Sequence, residues 1–355
     1  MWNNICPQVQ NWKILRYSSL FFYLNYRLNI IFVILFIYGG DNIMQTKIKE
    51  YLSIDELIEN IKSKNIKIKD ENKLKNFFEY NNYYYITGYK EIFKHSDDTY
   101  KKDVYFEDII TIYQLDKKLK LVFAEVLFEI EQKVKTVFSN NFCKQYGYKD
   151  LDLIDPSNYD KNSKYLLQCL SKLNDQIKWY GKESSAVEYY NNKYGYIPVW
   201  VLMKVLTFGM VRDLIANSKS SAKGVISKKI SNDGLLNYKE VQNMLELLII
   251  IRNICCHDDK LIGYVHKKVR VMNTKYHKYF NIETNDFDEY LIGKKDLFAT
   301  LICIKYFVSR ETYSKFIDDI DRLITEYSNK IENITKDELL KYMSLPINFK
   351  EIKDL

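Results

Sequence analysis

Residues Phe106 to Asn140 read FEDIITIYQLDKKLKLVFAEVLFEIEQKVKTVFSN. Within them Ile112, Leu115, Leu119, Val122, Val126, Ile130, Val134 and Val137 recur at spacings of three and four. That period gathers apolar side chains into one stripe of an α-helix. No Gly or Pro interrupts the run, so it predicts one long helix packed inside a bundle. On the N-terminal side, Ser53-Ile54-Asp55-Glu56 has the form of a capping box opening a helix to about Lys62, and Thr335-Lys336-Asp337-Glu338 has the same form near the C-terminus. Pro198 suits the first turn of a helix running to about Ile215, and Val241 to His257 forms another. Asp296 to Tyr327 contains neither Gly nor Pro and reads as further helix. The expected fold is all-α, a helical bundle with an N-terminal helical extension.

Composition agrees with that fold and narrows the chemistry. The 355 residues include only 4 Pro and 11 Gly and no Ser/Gly-rich linker, which favours one continuous helical body with appended pieces. A formal charge of +7 is modest and spread out, with Lys-rich stretches at Lys62 to Lys69 and Lys117 to Lys120. Such a balance permits an RNA partner without requiring one. Cys6, Cys143, Cys169 and Cys303 are scattered and Cys255-Cys256 adjacent, a pattern without metal-ligand spacing that reads as reduced cytoplasmic thiols. No metal and no cofactor is expected. The 31 tyrosines, among them Tyr83-Tyr84-Tyr85, invite a base-stacking role. The accompanying abundance of Lys, Asn and Ile makes AT-rich coding the simpler source.

The chemistry-bearing stretch is Arg252-Asn253-Ile254-Cys255-Cys256-His257, at the end of the apolar run Met244 to Ile251. Cleaving RNA through its own 2′-OH needs a group that moves protons near neutral pH, and His257 is of that type. It also needs positive charge fixed against the developing phosphorane, which the Arg252 guanidinium supplies. Asn253 suits a phosphate oxygen or the orientation of the histidine. Positions five apart on a straight helix lie roughly 140° from each other, so Arg252 and His257 do not share a face. Either a second copy across a twofold axis or a local distortion of the helix has to unite them, and the homodimer is the favoured solution. A similar pair, Arg270 and His277, lies seven residues apart and nearly on one face; it is read as a decoy.

Leu247 to Leu261, LLIIIRNICCHDDKL, resembles the ribonuclease signature of HEPN domains as carried by the Abi-like family of bacterial abortive-infection proteins. Three further blocks resemble that family in the same order: Tyr80 to Phe93 with its aromatic-Thr-Gly-Tyr core; Tyr113, Asp116, Leu119, Ile130 and Glu131; and Pro198, Trp200, Phe208 and Gly209. Together they span roughly residues 50 to 265. Tyr85 and Lys117 stand where relatives often carry arginine, Thr87 where they carry serine, and Cys256 where alanine is common. The resemblance implies a HEPN fold over 105–345, preceded by an N-terminal Abi-like segment over 44–104. It also implies metal-independent endoribonuclease activity in anti-phage defence or a toxin system, with Arg252, Asn253 and His257 catalytic.

Glu131 and Lys135 read first as a solvent-exposed i, i+4 ion pair. In HEPN proteins such a pair on an earlier helix often supports the Arg/His site, which makes Glu131 a candidate to orient Arg252 or His257. Tyr85, Lys117 and Lys120 are the candidate RNA contacts. The competing function is a non-catalytic RNA-binding HEPN module that holds a small structured RNA, with Arg252 and His257 only gripping phosphate.

The apolar run Ile30 to Tyr38 is nine residues long, short of the ~20 a membrane span requires. No membrane partner and a cytoplasmic location are expected. Gly39-Gly40-Asp41 can be encoded by a ribosome-binding sequence a short spacer upstream of Met44, so residues 1 to 43 are expected to be a translated leader, the alternative being a disordered or apolar extension. Intact mass of protein made from its native locus should begin at Met44; a species retaining Trp2 and Trp12 refutes this.

Overall fold

The apolar stripe forms a single helix, Phe106–Tyr146, 41 residues long. The computed structural model describes residues 50–355 apart from 96, 233, 235 and 258, and apart from the side chains at 182, 183 and 185; the expected leader, 1–43, lies outside the described residues. Ile54–Leu355 form one compact unit. Its α-helices in chain order are α1 (Ile54–Lys62), α2 (Glu71–Tyr80), α3 (Tyr83–Thr87), α4 (Phe106–Tyr146), α5 (Asp150–Ile154), α6 (Leu166–Glu183), α7 (Ser185–Tyr194), α8 (Val199–Leu202), α9 (Phe208–Asn217), α10 (Ser220–Ile230), α11 (Tyr238–His257), α12 (Lys275–Tyr279), α13 (Leu297–Lys305), α14 (Arg310–Ser328) and α15 (Lys336–Tyr342). Among the described residues β-structure is limited to isolated bridges. The fold is all-α.

Helix α4 is the axis of the bundle. It packs against α14, α11, α10 and α9, and its Ile112, Leu115, Leu119, Leu127, Ile130 and Val134 are fully buried. Each such side chain contributes roughly 1.5–3 kcal/mol through removal from water. Phe123 meets Phe316 of α14 edge-to-face, with centroids 5.1 Å apart. Helix α11 buries Val241, Met244, Leu245, Leu247, Leu248, Ile251 and Ile254 in the core. Its last turn carries the exposed Asn253, Cys256 and His257.

Two expected helices are divided. The Pro198-to-Ile215 reading gives way to α8 and α9. Pro198 lies in extended backbone just outside α8, and Thr207 breaks the chain and caps α9 by accepting from the Met210 N–H at 3.2 Å. The apolar stretch from Asp296 divides likewise, because Ser309 accepts from the Thr312 N–H and starts α14. The C-terminal capping box is present, with Thr335 Oγ1 accepting from the Glu338 N–H and Glu338 accepting from the Thr335 N–H.

The decoy histidine is a structural residue. His277 is buried, its Nδ1 accepts from the Thr274 N–H at 3.1 Å, and its Nε2–H donates to the Gly293 carbonyl at 2.9 Å. Its ring stacks on Tyr290. Gly293 has φ +85°, and a Cβ there would stand 2.8 Å from His277 Nε2. Arg270 is ion-paired with Glu289 instead. Burial pushes the His277 pKa down, opposed by the hydrogen bond to Gly293. Between the lowered folded value and the ordinary one near ~6.5, only the unfolded chain binds the proton, so stability falls as pH drops below ~6.5. Urea unfolding at pH 7.5 and 5.5 should show this loss, and His277→Gln, although weaker overall, should lose less between the two pH values. Equal pH dependence in both proteins refutes the assignment.

Candidate active site

Three of the four sequence blocks meet around two buried carboxylates of α4. The first is Asp116, which is fully buried. Its Oδ2 accepts from the Tyr89 hydroxyl at 2.8 Å and lies 3.2 Å from Lys120 Nζ; its Oδ1 accepts from the Leu261 and Ile262 N–H groups at 3.0 and 2.6 Å. Burial raises the Asp116 pKa, countered chiefly by the Ile262 N–H and by Lys120. Tyr89 comes from the aromatic-Thr-Gly-Tyr block, and Leu261 and Ile262 follow the polar end of α11. Lys260, just before them, donates to the Gly88 carbonyl at 2.7 Å and to the Tyr342 hydroxyl at 2.9 Å. The exit of α11 is thereby fixed in place.

The second carboxylate is Glu131. Its Oε2 receives Arg252 Nε at 3.0 Å and its Oε1 lies 2.7 Å from Lys135 Nζ. The Glu131 and Lys135 side chains are 8% and 13% exposed, so this is not the solvent-exposed pair that its spacing suggested: α11 covers it and brings a second cation. The Arg252 guanidinium carbon stands 5.6 Å from the centroid of the Phe128 ring. Arg252 is therefore held from two sides, and about a quarter of its side chain stays exposed. Phe128, Glu131 and Lys135 lie three and four residues apart on one face of α4. Phe128 was missed from the sequence; its signal was a large apolar residue beside Glu131 on the face that carries the charges.

Asn253 and His257 are both exposed. Four residues apart on α11, they share the solvent face to within roughly 40°. Arg252 Nη1 lies 3.4 Å from Asn253 Oδ1, long for a hydrogen bond. His257 is the last residue of α11, which is regular α-helix to its end. Its ring makes no hydrogen bond or ion pair with a described residue. The structure thus brings Arg252, Asn253, Glu131 and Lys135 together and leaves His257 one turn away, with no distortion of α11 turning it toward Arg252. Cys255 is protonated in this setting, its pKa pushed up to about 12 by burial; it is a packing residue and no nucleophile.

The candidate RNA contacts divide. Tyr85 is 53% exposed, edge-to-face with Tyr84. Lys117 is exposed, its ammonium 5.0 Å from the centroid of the Tyr113 ring. Lys120 requires a correction: it is 4% exposed, and its ammonium lies against Asp116 and donates to the Asp259 carbonyl at 3.2 Å. It balances the buried Asp116 and shows no charge to a ligand. A cavity of about 630 Å³ lies between Phe280–Ile292 and Asp337–Asn348, distant in sequence from these residues. Among the described residues no three potential metal ligands cluster and no helix is long and apolar enough to cross a membrane.

An all-helical bundle that displays a polar Arg-Asn-x3-His end on a core helix defines the class of fold and site. Residues 76–263 match the family model described as Abi-like protein, more than half of the chain and all four blocks, and the chain belongs to that family. No curated protein and no solved structure matches it.

The Glu131 contact has a measurable consequence. Glu131→Ala leaves Arg252 and Lys135 as neighbouring cations without their shared acceptor, and should cost roughly 1–3 kcal/mol in urea unfolding. Adding Arg252→Ala should cost clearly less than it does in the wild type; strict additivity refutes the coupling.

Proposed function

We propose that this protein is a HEPN-type, metal-independent endoribonuclease acting in bacterial abortive infection. The observation that carries the reading is the seating of Arg252 by the buried Glu131, beside an exposed Asn253 and His257, in a chain of the Abi-like family. A guanidinium fixed by a buried carboxylate on one side and an aromatic face on the other is ordered before substrate arrives, which is what stabilising a developing phosphorane requires. Asn253 holds a phosphate oxygen. His257, an exposed imidazole, takes the proton from the 2′-OH or returns one to the departing 5′-oxygen. The products are a 2′,3′-cyclic phosphate and a 5′-hydroxyl, so the ribose supplies the nucleophile and no hydrolytic water is needed in that step.

Because α11 is uninterrupted α-helix to its end, one protomer sets its Arg252 and His257 on different faces. A homodimer with its twofold axis near the α11 ends places one protomer's Arg252 opposite its partner's His257 and completes the site. The same separation of the two residues favours the second reading, a non-catalytic module in which Arg252 and His257 only grip RNA phosphates.

Incubation with total RNA in EDTA decides between them. Wild-type protein should cut and leave 2′,3′-cyclic phosphates. His257→Ala should lose at least a hundredfold in rate while keeping most of its RNA affinity. Glu131→Gln, if native-like in stability, should also slow cleavage. RNA bound but intact with wild type and variant alike would establish the binding module.

A further inference from the structure

Beyond the C-terminal end of α4 the chain builds an exposed aromatic shelf. Residues 148–150 pair with 197–199: the Asp150 N–H donates to the Ile197 carbonyl at 2.9 Å and the Val199 N–H to the Tyr148 carbonyl at 2.8 Å. This fixes Tyr148 beside Tyr196 and Trp200, with ring centroids 5.8 and 6.2 Å away. Tyr194 continues the row, 6.3 Å from Tyr196. Tyr148, Tyr194 and Trp200 are 46–51% exposed, although a tyrosine or tryptophan of this size gains from burial.

The charges around these rings favour an anionic ligand. Lys149 lies over Tyr196 at 5.1 Å and Lys193 over Tyr194 at 5.3 Å. The neighbouring carboxylates are turned to the backbone: Asp150 accepts from the Ile197 N–H and Asp152 from the Lys149 N–H. Exposed π faces interleaved with ammonium groups match a strand whose bases are unpaired and whose phosphates run alongside. A duplex, whose base faces are covered, does not fit. The Tyr83-Tyr84-Tyr85 run lacks this arrangement, because Tyr83 is half-buried and stacked on Phe106.

We propose that the Tyr148–Tyr196–Trp200 shelf binds single-stranded RNA by base stacking and holds the strand that the α11 site cuts. The choice of RNA over other single strands rests on the ribonuclease reading; the stacking surface itself does not. Tyr146 lies fifteen residues beyond Glu131 on α4, which at ~1.5 Å per residue is roughly 22 Å along one rigid helix. A shelf at that distance presents an unpaired strand to Arg252 and selects against double-stranded RNA.

The test uses the full wild-type chain and a fluorescent 2′-O-methyl adenosine 12-mer, which stacks but lacks the nucleophile, so binding is read independently of cleavage. Tyr148→Ala/Trp200→Ala should weaken binding at least fivefold, while Tyr148→Phe/Trp200→Phe keeps it and affinity for the matching duplex is unchanged. Lys149→Gln/Lys193→Gln, at exposed positions, should weaken binding and flatten its salt dependence even if the alanine pair does not fold. Unchanged 12-mer affinity in folded alanine and glutamine pairs overturns the shelf whether or not the wild type cleaves RNA. A change in sedimentation with affinity intact also overturns it and assigns the surface to a second copy of the chain.

Discussion

The buried carboxylate of Asp116 is the constraint on which the arrangement of this protein depends. It is buried on the helix that α14, α11, α10 and α9 pack against, and accepts from a tyrosine hydroxyl, two backbone N–H groups and an ammonium. A carboxylate so far from water is tolerated only with its acceptor sites filled. Each donor comes from a different place: Tyr89 from the N-terminal segment, Leu261 and Ile262 from the turn after α11, Lys120 from the next turn of α4. The requirement to satisfy one charge thereby fixes the path of the chain on both sides of the Arg-Asn-x3-His end.

Glu131, four helical turns further along α4, uses the same physics for a different purpose. Its partners are both side chains, and one of them, Arg252, keeps part of its guanidinium at the surface. The buried carboxylate removes the freedom of a long, flexible side chain and leaves its remaining donors available for an anion. Phe128 closes the other side. Because both lie on α4, one continuous α-helix, the spacing between the Asp116 clamp and the Glu131 seat is fixed by helix geometry. Ordering the Arg252 side chain and ordering the loop after His257 are two results of one rigid element. His257 lies outside this network, exposed at the last residue of α11.

Much of this was legible before the fold was known, and the residues show why. The α4 stripe, the Thr335 capping box and the α11 run are local signals, carried by side chains three or four positions apart. The division of the Pro198 and Asp296 stretches was missed because Thr207 and Ser309 are acceptable inside a helix and become caps only when packing turns the chain there. For Glu131–Lys135 the surface-pair reading stood beside the supporting one because i, i+4 spacing is the same on a covered face as on an open one. Lys120 was read as a ligand contact because the sequence does not show that Asp116, four residues earlier, is buried.

By itself the sequence determined the helical class, the family blocks and the chemical types at the candidate site, since periodicity, capping and residue identity are properties of short stretches. Tertiary structure alone decided which charges are covered and which remain in water: Lys120 turned to Asp116 and Arg252 to Glu131, while His257 stayed outside. Burial of a charge depends on which distant element lies over it, and that follows from long-range packing rather than from any local spacing.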